Sequence, residues 1–110
     1  MSVSAHETSS RLFVNRIIIQ DSELLAKMYG KVTHVDEMYQ LFRLRLSLFE
    51  QAEGLPLTEL DRLLLDSKKT DVIMELKLFR FKQHIEEQLS QVISRLDELE
   101  VQLSTLKEKQ

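Results

Sequence analysis

Residue types that could bind a metal ion or transfer protons are scattered along this chain of 110 residues. The three histidines, His6, His34 and His84, are far apart, and no second histidine follows any of them at helical spacing. A metal site needs three or four converging ligands, so isolated histidines indicate exposed or capping side chains instead. Adjacent carboxylates diverge on a helix, which favours solvated faces over catalytic pairs at Asp36–Glu37, Glu86–Glu87 and Asp97–Glu98.

The sequence also lacks the motifs that carry nucleophilic or phosphate chemistry. It contains no cysteine, which excludes disulfides, zinc thiolates and thiol catalysis. It has no glycine-rich phosphate loop and no nucleophile elbow. We therefore expect no enzymatic activity, no metal, no cofactor and no small-molecule substrate.

One basic stripe could contact an acidic partner or phosphates. Lys77, Arg80 and His84 are spaced so that they share one face of a helix. An ordinary solvated face, balanced by Glu75 and Glu87, is the simpler interpretation and the one we prefer.

The composition predicts a folded helical chain of a single domain's size. The hydrophobic fraction is 43%, the charged fraction is 30%, and two glycines with one proline leave few turns for a β-sandwich. The net charge of −3 gives no overall basic field to attract nucleic acid. No apolar run reaches the ~20 residues of a membrane span, and Met1–Ser10 lacks a signal-peptide core. We expect a cytoplasmic protein with no membrane contact.

The clearest pattern is a stripe of apolar residues near the C-terminus, spaced by alternating steps of four and three. Such a heptad repeat predicts a coiled coil, hence a dimer or higher homo-oligomer. A straight helix drifts by roughly 20° per heptad, so the helices must supercoil to keep the stripe buried. Packing of the stripe on the chain's own other helices is the alternative. This stripe, called the seam below, comprises Ile85, Leu89, Val92, Leu96, Leu99, Leu103 and Leu106.

The predicted fold is all-α, with three to four helices of which the C-terminal one is a long coiled-coil helix. Residues 1–10 are expected to form a mobile tail, residues 11–66 an interaction region, and residues 67–110 the oligomerisation helix. The segment Arg11–Ile19 stays open between two structures. Its β-branched residues suggest one short strand, whereas a helix from about Asn15 to Tyr29, closed by a left-handed Gly30, is the alternative.

Three further features divide the middle of the chain. Apolar residues within Val35–Ala52 share one helical face, past which Arg45 is expected to extend its charged end into solvent. Gly54 and Pro56 mark a turn, after which Thr58 and Asp61 resemble a helix N-cap pair. A polar joint, Ser67–Thr70, is expected to precede the last helix. The residues just before the seam, Met74, Leu78 and Phe81, are expected to pack on the N-terminal helices.

The layout of Arg11–Phe49 resembles the ribbon-helix-helix family of DNA-binding proteins. A short strand candidate, a helix ending at Gly30 and a second helix containing Asp36–Gln40 follow in that family's order. The resemblance implies that strands of a dimer pair and enter the major groove. It also implies that Leu12 and Val14 face the core, while Arg11, Phe13 and Asn15 face the bases.

A second stretch is similar to the middle and end of MerR-type regulators. It runs from Gly54 to Leu60 and is followed by a long zipper helix, as in that family, whose members end in a dimerising coiled coil. The family's winged-helix recognition motif has no counterpart upstream in this chain. The resemblance therefore implies a homo-oligomer more than a DNA-binding surface.

From these features we expect a non-enzymatic homo-oligomeric helical interaction protein, with a regulatory or adaptor role. Its partners would be itself and a protein that binds its N-terminal half. The alternative is a DNA-binding regulator with Arg11–Phe49 as the reader and the C-terminal coiled coil for oligomerisation. The residues expected to bind the partner are Arg11, Phe13, Asn15, Arg16, Ile17 and Ile18.

Overall fold

The computed structural model describes residues 5–30 and 34–109, which are almost entirely helical. The three helices are α1 (Ala5–Gly30), α2 (Val35–Glu50) and α3 (Glu59–Lys109), and no strand occurs among the described residues. The all-α fold with a long C-terminal helix is confirmed, and 91% of the described residues are helical. No helix in these ranges is both long and apolar enough to cross a membrane.

The chain divides into two compact units, Met1–Leu76 and Lys77–Gln110. The first contains α1, α2 and the beginning of α3, and is called the N-terminal bundle below. The second is the rest of α3 and is called the C-terminal segment. The boundary expected between residues 66 and 67 lies within α3, ten residues before this division.

The core of the N-terminal bundle draws side chains from all three helices. Four residues separate α1 from α2, and such a short connection gives an antiparallel helix pair. Contacts of Ser10 with Asp61, and of Asp21 with Glu75 through Arg45, show that α1 and α3 run in the same direction. The buried apolar side chains are Val14, Ile17, Met28, Phe42, Phe49, Ala52, Leu65 and Val72.

The strand suggested for Arg11–Ile19 is wrong, because this segment lies inside α1. Val14 and Ile17 are three residues apart, so both reach the core from one helical face, where each is at most 1% exposed. Packing of this face outweighs the weak β-preference of branched residues. The expected tail also fails in part: Ala5–Ser10 belong to α1 and Ser10 is buried, whereas residues 1–4 lie outside the described ranges.

The last helix begins at Glu59, and the joint expected at Ser67–Thr70 is wrong. This stretch contains neither glycine nor proline, and the Thr70 hydroxyl donates a hydrogen bond of 2.9 Å to the Asp66 carbonyl within the helix. Gly54 has a φ of 78°, a left-handed conformation that suits the turn before α3. Gly30 does not adopt that conformation, so the predicted left-handed closure of α1 is wrong.

Two hydrogen bonds donated by one arginine, together with one ion pair, fix the turn before α3. The guanidinium of Arg62 donates to the carbonyl of Ala52 at 2.8 Å and to that of Leu55. Lys69 forms an ion pair of 3.1 Å with Glu53. These contacts hold the left-handed turn at Gly54 against the first three turns of α3.

Candidate functional site

Asp61 is the centre of the first polar cluster of the N-terminal bundle and is only 1% exposed. One carboxylate oxygen accepts a hydrogen bond of 2.7 Å from the Ser10 hydroxyl, and the other accepts one of 2.7 Å from Arg11 Nε. The Thr58 hydroxyl accepts the backbone N–H of Asp61 at 3.3 Å, which confirms the N-cap predicted from the sequence.

Ser10 completes this cap from a different helix. In an ordinary capping box, the acidic side chain accepts the backbone N–H of the cap residue. Here the Thr58 N–H donates to the Ser10 hydroxyl at 3.1 Å, and that hydroxyl donates to Asp61. The start of α3 is therefore fixed to α1 through one serine oxygen.

The pKa of Asp61 lies below its ordinary value. The hydrogen bond from Ser10 is the largest cause, and burial opposes it by disfavouring the charged form. The hydrogen bonds from Thr58 and Arg11, and the charge of Arg11, lower the pKa further. A carboxylate held in this ionised state stabilises the fold and is a poor proton donor or acceptor near neutral pH.

Arg45 is the centre of the second cluster and joins all three helices. Its Nε and Nη2 donate to the two carboxylate oxygens of Asp21 on α1, at 2.7 and 3.2 Å. Its Nη1 donates to Glu75 on α3 at 2.7 Å and lies 3.6 Å from the Met28 sulfur. The guanidinium carbon is 5.9 Å from the centre of the Phe42 ring.

The expectation that Arg45 extends into solvent is wrong, because its side chain is only 2% exposed. Burial alone would lower the pKa of Arg45, but hydrogen bonds to Asp21 and Glu75 outweigh it, and the pKa is raised. A sequence signal existed: Arg45 lies three residues after Phe42 and four before Phe49, hence on the apolar face of α2. The acidic partners that make burial tolerable come from other helices and could not be identified.

An apolar groove opens at the Asp61 cluster. Its volume is about 480 Å³, and its lining includes the side chains of Leu12 and Leu60, which are 63% and 66% exposed. Arg11 and Glu7 lie along it. The groove thus places exposed leucines beside charged groups on the surface of the N-terminal bundle.

The six residues expected to bind a partner do not share one surface. Asn15 and Arg16 are exposed, Phe13 and Ile18 are half-buried, and Ile17 is buried in the core. Arg11 is exposed along its side chain but bonded to Asp61. Of the orientation implied by the ribbon-helix-helix resemblance, Val14 lies in the core as expected, but Leu12 is exposed and the segment is helical.

Of the outward face of α1, the sequence analysis included Asn15 and Arg16 but missed Leu12 and Ile19. Leu12, Asn15, Arg16 and Ile19 follow each other at steps of three, one and three, which places them on one side of the helix. All four are exposed, with Leu12 at 63% and Ile19 at 58%. The helical spacing was visible in the sequence, but it could be used only once the strand was excluded.

The seam lies in the C-terminal segment, and all seven of its side chains are exposed. Their exposed fractions range from 40% at Ile85 to 58% at Leu103 and Leu106. The residues before it, which were expected to pack on the N-terminal helices, are exposed as well. Met74, Leu78 and Phe81 are 57%, 67% and 62% exposed, respectively.

Within the described ranges, no group of three or more histidine or acidic side chains is arranged to hold a metal ion. Comparison with protein-family models, with curated proteins and with solved structures found no match to this chain. The structure itself therefore supplies the grounds for a functional proposal.

Proposed function

We propose that this chain is a non-enzymatic helical interaction protein with a regulatory or adaptor role. It assembles with copies of itself through a coiled coil of its C-terminal segment and binds a protein partner through its N-terminal bundle. The observation that carries the proposal is the seam: seven apolar side chains at heptad spacing, all at least 40% exposed on the single chain. Contiguous apolar surface of this kind marks interaction sites.

The energy available from the seam is comparable to the cost of association. Full burial of an aliphatic side chain contributes roughly 1.5–3 kcal/mol, so covering the exposed half contributes about 1 kcal/mol. Seven such side chains on each of two chains give roughly 14 kcal/mol, against an association cost of about 4–15 kcal/mol. Because the margin is small, one charge within the seam is expected to abolish assembly.

A pair of substitutions tests the assembly. Leu96→Asp places a carboxylate in the middle of the seam, whereas Val101→Asp introduces the same charge at an exposed residue off the seam. Val101 is 66% exposed and Leu96 is 54% exposed. We expect the parent and Val101→Asp to be oligomeric by light scattering at micromolar concentration, and Leu96→Asp to be monomeric. A monomeric parent, or equal masses for both variants, would contradict the proposal.

The surface proposed for the protein partner is the outward face of α1, at Leu12, Asn15, Arg16 and Ile19. It combines two exposed apolar side chains with two polar ones. Its apolar part continues into the groove that includes Leu60. Interfaces commonly have such an apolar centre with a polar rim.

The test for this surface is capture of a partner from lysate by the tagged chain. Leu12→Ala is compared with Leu44→Ala, since Leu44 is a similarly exposed leucine (53%) on α2. We expect Leu12→Ala to lose a partner that Leu44→Ala retains. Retention by both variants would exclude the α1 face as the binding surface.

The same capture experiment also tests the alternative function, DNA binding. The segment Arg11–Asn15, which the ribbon-helix-helix resemblance places in the major groove as a strand, is helical. Arg11 forms an ion pair with Asp61. If the captured partner disappears after nuclease treatment, at moderate salt and in Arg16→Ala, the DNA-binding alternative replaces the protein-binding one, because phosphate contacts weaken steeply with salt.

A further inference from the structure

The exposed apolar stripe of the C-terminal segment is longer than the seam. Leu78 and Phe81 precede Ile85 by seven and four residues, and they are 67% and 62% exposed. The steps from Leu78 are three, four and four before the regular alternation resumes at Leu89. An extra four-residue step is a stutter, which coiled coils accommodate by local unwinding. The stripe therefore extends continuously from Leu78 to Leu106.

Charges flank this stripe in two opposite runs. Residues 77–85 contain Lys77, Arg80 and Lys82 and no acidic residue. Residues 96–106 contain Asp97, Glu98 and Glu100 and no basic residue. The basic run lies at the start of the segment and the acidic run towards its end.

We propose that the C-terminal segment pairs with the same segment of a second copy as a two-stranded antiparallel coiled coil. This inference rests on the homo-oligomeric assembly proposed above and specifies its orientation and register. Leu78 of one copy lies opposite Leu103 of the other, Ile85 opposite Leu96, and Leu89 opposite Val92. The residue numbers in each of these pairs add up to the same total, so one register satisfies all three.

Electrostatics favour this arrangement over a parallel one. In the antiparallel register, the basic run of each copy lies beside the acidic run of the other, with Lys82 close to Glu100. In a parallel coil in register, the basic run of one copy lies beside the basic run of the other, and the two acidic runs also lie side by side. The parallel coil offers one attractive contact, between Arg95 and Glu100. Arg95 already forms an exposed ion pair of 3.4 Å with Glu98 in its own helix.

A shift of the antiparallel pair by one heptad is also disfavoured. It would bring Glu86 of each copy close to Glu100 of the other, at positions that flank the stripe, where like charges repel. It would also leave Leu78 without an opposite residue in the stripe. The register proposed here leaves Leu99 opposite Lys82 instead, so each register pairs six residues of the stripe. The proposed register is favoured because it avoids this repulsion and places the basic run beside the acidic run.

Disulfide formation tests the orientation, because the chain contains no cysteine of its own. The variants Leu78→Cys and Leu103→Cys are oxidised separately and as a mixture, and Val101→Cys mixed with Leu78→Cys controls for non-specific oxidation. We expect a covalent dimer only in the mixture of Leu78→Cys with Leu103→Cys. Light scattering of the parent and of the reduced variants should give the mass of two chains.

Failure of the orientation is distinguishable from failure of the assembly. A monomeric parent would overturn both this inference and the proposed function. A dimer that forms disulfides in each separate sample is parallel, and one that forms none in any sample has another register. Both of these results, or a mass above two chains, would overturn the antiparallel pair and leave the oligomeric function intact.

A charge exchange gives a second test without cysteines. In the antiparallel pair, Lys82→Glu and Glu100→Lys should each weaken association, roughly two- to thirtyfold in Kd for two exposed charge contacts. A mixture of the two variants should recover the affinity of the parent. In a parallel coil in register, position 82 of each copy lies beside position 82 of the other, so Lys82→Glu exchanges one like-charge pair for another. An unchanged Kd of this variant alone would therefore refute the inference.

Discussion

Replacement of Arg45 by methionine should destabilise the N-terminal bundle by about 3 kcal/mol. Arg45 is 2% exposed and donates two hydrogen bonds to Asp21, whose side chain is only 13% exposed. Removing one partner of a buried ion pair typically costs about 3–5 kcal/mol, because the other charge stays buried without compensation. Glu75 is 37% exposed and can turn to water, so its contribution is on the surface scale of about 0–1 kcal/mol.

Methionine recovers part of the packing against Phe42, which is why we expect the lower end of that range. A loss of about 3 kcal/mol changes the unfolding equilibrium constant by a factor of about 100. That is a large part of the roughly 5–15 kcal/mol that stabilises a typical domain. The measurement is urea unfolding followed by circular dichroism. It is run at one protein concentration, because self-association adds to the apparent stability.

Arg43→Met is the matched control, since Arg43 lies on the same helix with an exposed side chain. We expect it to change the unfolding free energy by less than about 0.5 kcal/mol. The double variant Arg45→Met with Asp21→Asn should recover part of the loss, because the unpaired carboxylate is then removed. Equal stabilities of Arg45→Met and Arg43→Met would refute the structural role assigned to the buried arginine.

Two further predictions concern Asp61 and the glycines. Because the pKa of Asp61 is lower in the folded chain than its ordinary 3.8, its stabilisation is complete above that value and is lost as the pH falls below it. Asp61→Asn should therefore show a smaller loss of unfolding free energy on acidification than the parent, and identical pH profiles would contradict this. Gly54→Ala should destabilise by about 1 kcal/mol in urea unfolding, because only Gly54 has a left-handed φ, whereas Gly30→Ala should be neutral or slightly stabilising. Equal effects of the two glycine substitutions would contradict the assignment.

Features that depend on residues close together in the sequence could be predicted, whereas features that depend on contacts between helices could not. The heptad spacing of the seam lies within one helix and is visible in the sequence, although its assembly stays a prediction. The cap at Thr58 and Asp61 is equally local and was predicted correctly. The helical state of Arg11–Ile19 was not resolved, because branched residues favour strands weakly and the packing of Val14 and Ile17 decides the outcome.

The polar clusters of the N-terminal bundle lay beyond sequence reasoning for a different reason. Ser10 and Asp61 are 51 residues apart, and Arg45 is 24 residues from Asp21 and 30 from Glu75. Nothing in the spacing of these residues predicts that they meet. The candidate partner surface shifted for the same reason: Ile17 and Arg11 were assigned to it by residue type, but tertiary contacts engage both.

These two clusters also bear on how uniquely the helices of the bundle pack. Ser10 and Asp21 are separated by about 16 Å along α1, and Asp61 and Glu75 by about 21 Å along α3. A slide of α3 by one turn, about 5.4 Å, would separate both polar clusters and leave their charges without partners. We infer that the polar contacts fix the register of α1 against α3.

The double variant Arg45→Met with Asp61→Asn tests this inference apart from stability. It keeps the apolar core but removes the charge at the centre of each cluster. We expect it to retain most of its helix content by circular dichroism while its NMR spectrum shows broadened or multiple signals for core methyl groups, as when several packings coexist. A single sharp set of core methyl signals in this variant would show that apolar packing alone fixes the register.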